Sequence, residues 1–413
     1  MKFAFLTYGC KVNQYETQKI REGLEAGGAI ESEEPEFYII NSCTITDKID
    51  RDIRRDIRRI RKNTRAKIIL TGCLTKRNFD SELADFVVPN EKKDDISMYP
   101  GGVKYKTREY PDIIAGFSGK NRAFVKIQDG CSNFCSYCEV PFVRGSELKS
   151  RPLNEIKDEI KALVKGGFAE IILTGINIGF YGAEDGYKFR LLDLLKEAAG
   201  TAGEARIRLS SIGPESLSCE MVDFFAENPG KMCPHFHMSM QSGCDKVLKL
   251  MRRKYTSEQY REKADYIFSK IPHAGITTDI IVGFPGETEA DFEKTYSFVE
   301  RINFSRIHVF SYSDRPDAAA SGFEGKVDEK EKKRRMKKLA ELAAEKQRKF
   351  ALGNKGDVRM VLIESEEKDG YWEGYTENYI RVRVRGAGEY INKRAAVKIT
   401  DVKDGVVSGE LVC

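Results

Sequence analysis

Three cysteines share one short stretch, Cys131-Ser-Asn-Phe-Cys135-Ser-Tyr-Cys138, in the spacing C-x3-C-x2-C. A cubane iron–sulfur cluster takes one thiolate on each iron it shares with the protein. Three thiolates on one loop hold three irons and leave the fourth free to chelate a small molecule. That turns an electron carrier into a reaction centre. Structural zinc and a disulfide are the alternatives, but zinc sites generally pair two C-x2-C knuckles, and the chain has no second knuckle. Three further cysteines each follow an apolar run of strand length: Cys10 after Phe3–Tyr8, Cys43 after Phe37–Asn41 and Cys73 after Lys67–Thr71. In a parallel sheet the carboxyl ends share one edge, where open α/β sheets bind ligands, so the three thiols can converge there. They read as a second three-cysteine cluster, with buried free thiols or zinc as alternatives. Cys219, Cys233, Cys244 and Cys413 lack ligand-like spacing and read as structural or incidental. His235, His237, His273 and His308 read as packing or surface residues; His235 and His237 share one strand face without an evident third partner.

The elements around these residues fall into three groups. Helical stretches at Glu16–Ala26 and Asp47–Arg65 separate the first three strands, which makes those strands parallel with right-handed crossovers. Ile49, Ile53, Ile57 and Ile60 stripe one face of the second helix. Its arginines form either a solvated face, partly neutralised by Asp50, Asp52 and Asp56, or a phosphate-binding ridge. Strand patterns then recur at Ala123–Gln128, Glu170–Thr174, Arg206–Ser210, Phe236–Met240, Thr277–Val282 and Arg306–Phe310. Helical patterns at Asn154–Lys165, Leu191–Ala199, Glu215–Ala226, Glu258–Ser269 and Asp291–Arg301 separate them. Six strand-then-helix units make a partial (βα)6 barrel, open on one side, with its chemistry at the strand carboxyl ends. Gly175, Asn177, Ser210, Gln241 and Asp279 lie at or just beyond those ends and could line a cofactor site; each alone also suits a turn or cap.

A charged helix over 326–350 holds eleven Lys/Arg against five Asp/Glu and reads as a connector or a nucleic-acid contact. Five short strands follow: Val358–Glu364, Tyr371–Thr376, Tyr379–Val384, Ala395–Thr400 and Val406–Leu411. They suit a small antiparallel β-barrel of the kind that binds oligonucleotides. Strand alternation puts Arg381, Arg383 and Arg385 on one face, an RNA-binding surface or an ordinary exposed one, and Val382 and Val384 inside.

The bulk numbers bound the rest. The 413 residues suit two or three domains; 41% are hydrophobic and 32% charged, as in soluble globular proteins. No apolar run reaches membrane-spanning length, so no membrane partner is expected, and the N-terminus reads as a strand rather than a leader. Ten cysteines without a leader point to a reducing, cytoplasmic setting. A net charge of +5 permits a polyanionic partner without requiring one.

The Cys131 loop, with Tyr137 before its last cysteine, resembles the radical S-adenosylmethionine signature. With both cysteine sets in place, the chain resembles the methylthiotransferases nearly end to end. Gly9-Cys10-Lys-Val-Asn13-Gln-Tyr-Glu-Thr, Asn41-Ser-Cys43-Thr-Ile-Thr and Thr71-Gly-Cys73 are similar to the N-terminal family motifs. Pro141-Phe-Val-Arg144-Gly145, Met240-Gln241-Ser-Gly243, Met251-Arg252-Arg253-Lys-Tyr-Thr and Gly283-Phe-Pro-Gly-Glu287-Thr carry the likeness onward. Within the family, Cys-Lys-Val-Asn-Gln-Tyr-Glu-Thr looks most like the branch acting on threonylcarbamoyladenosine at position 37 of tRNA. Branches acting on isopentenyladenosine-37 or on a ribosomal-protein aspartate are the alternatives. A non-catalytic iron–sulfur RNA-binding redox sensor is the alternative of another class.

The resemblance implies an α/β N-terminal domain over 1–110 with an auxiliary cluster. It also implies a radical core over 117–346 and an RNA-binding TRAM barrel over 347–413. It implies two [4Fe-4S] clusters, on Cys131/Cys135/Cys138 and on Cys10/Cys43/Cys73. S-adenosylmethionine then serves as both methyl donor and radical source, with Tyr137 either stacked on its adenine or packed in the loop. The implied partners are a tRNA anticodon stem-loop and an electron donor such as flavodoxin or ferredoxin. Two features depart from the pattern: Glu139, where many relatives carry an aliphatic residue, and Asp314-Arg-Pro-Asp317, which replaces a Gly-Thr-Pro ending.

Overall fold

The computed structural model describes residues 1–77, 83–100, 113–403 and 405–412. At the N-terminus, Ile30–Glu31, Lys2–Thr7, Phe37–Ser42, Lys67–Gly72 and Phe86–Val87 form a five-stranded sheet in that spatial order, every pair parallel. Alternation along each strand feeds two apolar layers. Phe3, Ile39 and Ile69 meet Ile20 and Leu24 of helix Lys11–Ala26, while Ile40, Ile68 and Leu70 meet Ile53, Ile57 and Ile60 of helix Asp47–Asn63. The first helix begins five residues before the expected Glu16. Its opening turn buries polar Asn13 and Glu16 beside Val12, and that masks the apolar period.

The middle of the chain forms two four-stranded sheets that meet end to end at Ser210. Ala123–Asp129, Glu170–Gly175, Arg206–Leu209 with Ser211–Ile212, His235–Met238, Gly275–Val282 and Arg306–Ser311 run parallel around a partial barrel. Short Lys149–Ser150 adds antiparallel to the first edge. Helices Leu153–Lys165, Leu191–Thr201, Cys219–Glu227, Ser257–Lys270 and Glu289–Arg301 follow successive strands. The third starts later than the expected Glu215, because Pro214–Ser216 is a 3-10 turn and the Ser218 side chain caps the helix by accepting from Met221 N. Ile207, Leu209, Phe236, Met238, Ile276 and Ile280 pack outward into the main core. Arg206, Arg208, His235, His237, Thr277 and Asp279 alternate with them and make the bore polar.

Helix Glu329–Leu352 turns part of its cationic face inward: Arg335 pairs with Glu287 at 2.6 Å, Arg334 with Glu289 at 2.5 Å and Lys338 with Glu293 at 2.6 Å. These contacts make it a strut against the barrel. Val358–Glu366, Tyr371–Tyr375, Arg381–Arg385, Val406–Leu411 and Arg394–Lys403 close into a five-stranded barrel in that order. The expectation of a wholly antiparallel barrel needs one correction. Five strands in a ring cannot alternate throughout, and the seam between Arg381–Arg385 and Val406–Leu411 is parallel. Val382 and Val384 are buried in this barrel's core.

Candidate active site

Both cysteine triads lie beyond the carboxyl ends of parallel strands. Cys131 follows Ala123–Asp129, with Gly130 between them at φ +76; a Cβ there would meet Glu147 O at 1.9 Å, so only glycine makes the turn. The loop is held by its backbone. Cys131 N donates to Gly145 O at 3.1 Å, Cys138 N to Cys135 O at 2.9 Å, and Ser136 N to Met251 O at 3.2 Å. Arg253 Nη1 donates to Cys135 Sγ at 3.3 Å, and Asn177 Nδ2 reaches Cys131 Sγ at 3.9 Å. Burial pushes the Cys138 thiol up to about 12, with the neighbouring thiols adding to it, and raises Cys131 as well.

Cys10, Cys43 and Cys73 follow the neighbouring strands Lys2–Thr7, Phe37–Ser42 and Lys67–Gly72, whose parallel register puts their carboxyl ends on one edge. Gly9 stands at φ +94, and an added Cβ would lie 2.6 Å from Cys43 Sγ; glycine keeps the space beside that sulfur clear. Burial, then the Cys73 thiol, pushes Cys43 up to about 12. Burial also raises Cys73, against the opposing charges of Arg144 and Lys93. Among the described residues no three His, Cys, Asp or Glu side chains converge on one point as a single ion requires. A cubane instead spreads its thiolates over separate irons. Three sulfurs per triad, cradled by glycine turns and backed by cationic Arg144 and Arg253, fit an anionic thiolate cluster.

Arg144 links the two triads. It ends helix Val140–Arg144, which begins two residues after Cys138, and its Nε donates to Cys73 Sγ at 3.2 Å. It also pairs with Glu16 at 2.6 Å and donates to Asn13 Oδ1. Glu16 further binds Lys126 at 2.8 Å and Lys93 at 2.5 Å. Burial would raise the Glu16 carboxyl, but Arg144, Lys126 and Lys93 outweigh it and hold it well below the usual range. The two departures from the family pattern meet beside this network. Buried Glu139 pairs with Arg77 at 2.7 Å and faces Arg315 Nε at 3.8 Å; Arg315 reaches Asp47 at 2.7 Å and Asp50 at 3.1 Å. Glu139 and Arg315 therefore belong to one ionic tie between the N-terminal sheet and the barrel.

The other expected positions scatter. Gly175 ends the second strand and Asn177 stands just beyond it, its N–H donating to Gln128 Oε1 at 2.8 Å. Gln241 stands beyond the fourth strand at φ +69, its backbone bonded to the fifth at Asp279 O and Ile281 N. Ser210 stands just past Arg206–Leu209, between it and Ser211–Ile212, and is buried; Asp279 lies within the fifth strand rather than at its end and bonds His237. Tyr137 packs against the apolar cluster of Met251, Phe284 and Tyr312. His235 and His237 are not isolated: both bond Thr277 Oγ1, and His237 Nε2 bonds Asp279 Oδ2 at 3.0 Å. Burial lowers His235 and His308 alike. His273 is half-exposed near Asp357. Cys233 and Cys244 are buried, Cys219 is exposed, and Cys413 lies outside the described residues.

On the C-terminal barrel, Arg381 pairs with Glu373, Arg383 pairs with Glu367 at 2.8 Å and stacks over Tyr371 at 4.0 Å, and Arg385 is exposed. On helix Asp47–Asn63, Arg55 and Arg59 pair with Asp52 and Asp56, while Arg51 and Arg58 are exposed. The roles of Arg144, Arg253 and Glu16 were hidden in the sequence. All three lie inside motifs, but only long-range contacts reveal what they touch.

A partial parallel barrel with a three-thiol loop at its first strand defines a radical S-adenosylmethionine enzyme. Residues 125–299 match the Radical SAM superfamily, 2–88 the Uncharacterized protein family UPF0004 and 354–412 the TRAM domain. The chain is 38% identical to a Threonylcarbamoyladenosine tRNA methylthiotransferase MtaB of Thermotoga maritima, covering 97% of this chain and 95% of that one. It is 36% identical to the protein of the same name in Bacillus subtilis, over 96% and 93%. It is 31% identical to a tRNA-2-methylthio-N(6)-dimethylallyladenosine synthase of Bdellovibrio bacteriovorus, over 98% and 94%. Among solved structures, the radical S-adenosylmethionine methyltransferase TsrM of Kitasatospora setae shares the fold at a TM-score of 0.53 and 15% identity, over 75% of this chain and 73% of that one. The chain belongs to the methylthiotransferase family of radical S-adenosylmethionine enzymes. That membership brings a [4Fe-4S] cluster and S-adenosylmethionine as cofactors. Among the described residues no helix is long and apolar enough to cross a membrane.

Proposed function

We propose that this enzyme adds a methylthio group to C2 of N6-threonylcarbamoyladenosine at position 37 of tRNA, working in the cytoplasm. Support for the substrate comes from relatives of that name at 36–38% identity over nearly the whole chain. Support for the chemistry comes from Arg144, which ties the Cys138 helix to Cys73 and so brings the two triads to one site. Cys131, Cys135 and Cys138 would hold one cluster, and Cys10, Cys43 and Cys73 a second.

With S-adenosylmethionine bound, such clusters supply a carbon-centred radical and a methylated sulfur, which replace a C2 hydrogen that acid–base chemistry cannot remove. The chain's own residues do the rest. Asn177 and Arg253 hold Cys131 and Cys135. Arg144 and Glu16 set the facing of the second triad, because orientation governs transfer between bound groups. The polar positions Gly175, Asn177, Ser210, Gln241 and Asp279, with Tyr137, would surround the cofactor and the base.

Division of labour would follow the three segments 1–110, 117–346 and 347–413. Arg381, Arg383 and Arg385 would contribute to the RNA-binding face, and a flavodoxin- or ferredoxin-type protein would supply electrons. The test is a nucleoside digest of tRNA from a deletion strain and from the same strain carrying this gene. Loss and return of the methylthiolated threonylcarbamoyl nucleoside is the expected result. Loss of a methylthiolated isopentenyl nucleoside instead, or an unchanged digest, overturns the substrate.

A further inference from the structure

Helix Asp47–Asn63 carries three unlike faces. Ile53, Ile57 and Ile60 are buried against the N-terminal sheet. A second face neutralises itself: Arg55 pairs with Asp52 at 2.7 Å, Arg59 pairs with Asp56 at 3.4 Å, and Tyr8 OH donates to Asp56 at 2.6 Å. The third face holds Arg51, Arg54, Arg58 and Lys62. At about 3.6 residues per turn, these four fall within an arc of about 80°. Arg51, Arg58 and Lys62 are exposed and Arg54 is half-buried; none of the four makes an ion pair among the described residues. Like charges one turn apart repel and weaken a helix. Asp52 and Asp56 relieve that strain on the neighbouring face, whereas this stripe keeps its full positive charge.

The stripe starts at the seam between the N-terminal sheet and the radical barrel. Asp47 stands one turn before Arg51 on the same side of the helix. Its carboxylate meets Arg315 at 2.7 Å, and its backbone N–H donates to Ser313 Oγ at 3.3 Å. Asp50 is likewise committed, to Arg315 at 3.1 Å and to Arg77 at 3.3 Å. The acids at the seam are therefore already matched. Because the helix follows strand Phe37–Ser42 and Cys43, its first turn lies at the edge that carries the thiols. From Arg51 to Lys62 the stripe then runs about 16 Å, at about 1.5 Å per residue. The C-terminal barrel stands at the other end of the radical barrel, where Asn378 donates to His273 O at 3.0 Å just before strand Gly275–Val282. That strand carries the chain about 23 Å towards the thiols, at about 3.3 Å per residue. Phosphates beside a base entering at the thiol edge need a nearer source of charge than the C-terminal arginines.

We infer that Arg51, Arg54, Arg58 and Lys62 form an RNA-docking ridge that holds the phosphate backbone next to the base entering between the triads. This rests on the tRNA reading above and deepens it. Contacts to phosphate fix position and orientation without reading sequence, so the ridge orients the RNA and leaves recognition of the base to the barrel. Cations without acidic partners suit that task, because nothing in the protein competes with the phosphates for them.

The test measures affinity of the full-length enzyme for tRNA from about 50 to 200 mM salt. It compares wild type with Arg54→Gln/Arg58→Gln and with Arg55→Gln/Arg59→Gln. Both double variants remove the same charge from the same helix, but from different faces. The first should lower the slope of log affinity against log salt by about 1.4–1.8, the size of two lost phosphate contacts, and the second should leave it unchanged. In methylthiolation, the first should raise KM for tRNA at unchanged kcat, as when binding shared by ground and transition states is removed. A slope unchanged by the first variant, or lowered equally by both, overturns the ridge. An unchanged tRNA slope with weakened binding to phosphatidylglycerol vesicles would assign the stripe to a membrane surface and overturn it too. A wild type that binds no tRNA overturns the substrate reading instead.

Discussion

Arg144 illustrates how one side chain serves both halves of the chemistry. It is almost fully buried, and its charge is matched by Glu16 on a helix that starts beside Cys10. Removing one partner of a buried ion pair strands the other, at a cost of about 3–5 kcal/mol. Arg144→Met should therefore lower the thermal unfolding midpoint and cut methylthio transfer more than reductive cleavage of S-adenosylmethionine, read as product against 5′-deoxyadenosine. Equal losses of the two products would remove Arg144 from any role between the triads. Gly9→Ala makes a sharper demand. Its Cβ would overlap Cys43 Sγ at 2.6 Å, from a backbone angle that favours glycine. Iron content after anaerobic reconstitution should fall by about half, with the Cys131 loop still loaded; full iron content would show that Gly9 does not shape a cluster site. Such contacts were not legible in the sequence, because Arg144 and Glu16 lie 128 residues apart and leave no local pattern. Glu139 and Arg315 stood out only as separate oddities; the fold makes them neighbours.

The elements were far more legible. Strand length, helical period and a following cysteine suffice to read the three long parallel strands of the N-terminal sheet, since a period of two or 3.6 is local information, whereas the two-residue strands Ile30–Glu31 and Phe86–Val87 are too short to show one. The polar bore escaped that reading because alternating Arg-Ile-Arg-Leu looks like an exposed strand, whereas Arg206 and Arg208 are both buried against Glu170. This ionic knot fastens the C-terminal barrel to the radical barrel through Tyr375, Thr376 and Glu377. Burial alone would raise the Glu170 carboxyl, but Arg208 and Arg206 outweigh it and hold it far below the usual range. Its folded value lies below its unfolded one, so the stabilisation is complete above the unfolded value and is lost as pH falls beneath it. Glu170→Gln should destabilise at neutral pH, and its unfolding curve should approach that of wild type from about pH 5 to 3. Parallel curves across that range would take Glu170 out of the knot. On the outer face of the C-terminal barrel, two of the three arginines already have acidic partners. Arg385→Gln should reduce the slope of log affinity against log salt for tRNA by roughly 0.7–0.9 if that residue meets one phosphate, and leave it unchanged if it meets none.

Over the whole molecule, the N-terminal sheet and the radical barrel present their cysteine edges to each other, fastened by the Arg144–Glu16 and Glu139–Arg77–Arg315 ties. The C-terminal barrel stoppers the opposite end of the bore. A substrate base would then enter from the edge where the two sets of thiols stand. The account depends on both triads binding iron and on each having its own task. The most direct measurement is iron per chain after anaerobic reconstitution, taken with product analysis, for wild type, Cys135→Ala and Cys43→Ala. The account predicts about eight irons in wild type and about four in each variant. Cys135→Ala should form no 5′-deoxyadenosine, and Cys43→Ala should still form it without methylthiolating tRNA. Wild type holding iron for one cluster alone while turning over normally, or Cys43→Ala methylthiolating at the wild-type rate, would contradict it.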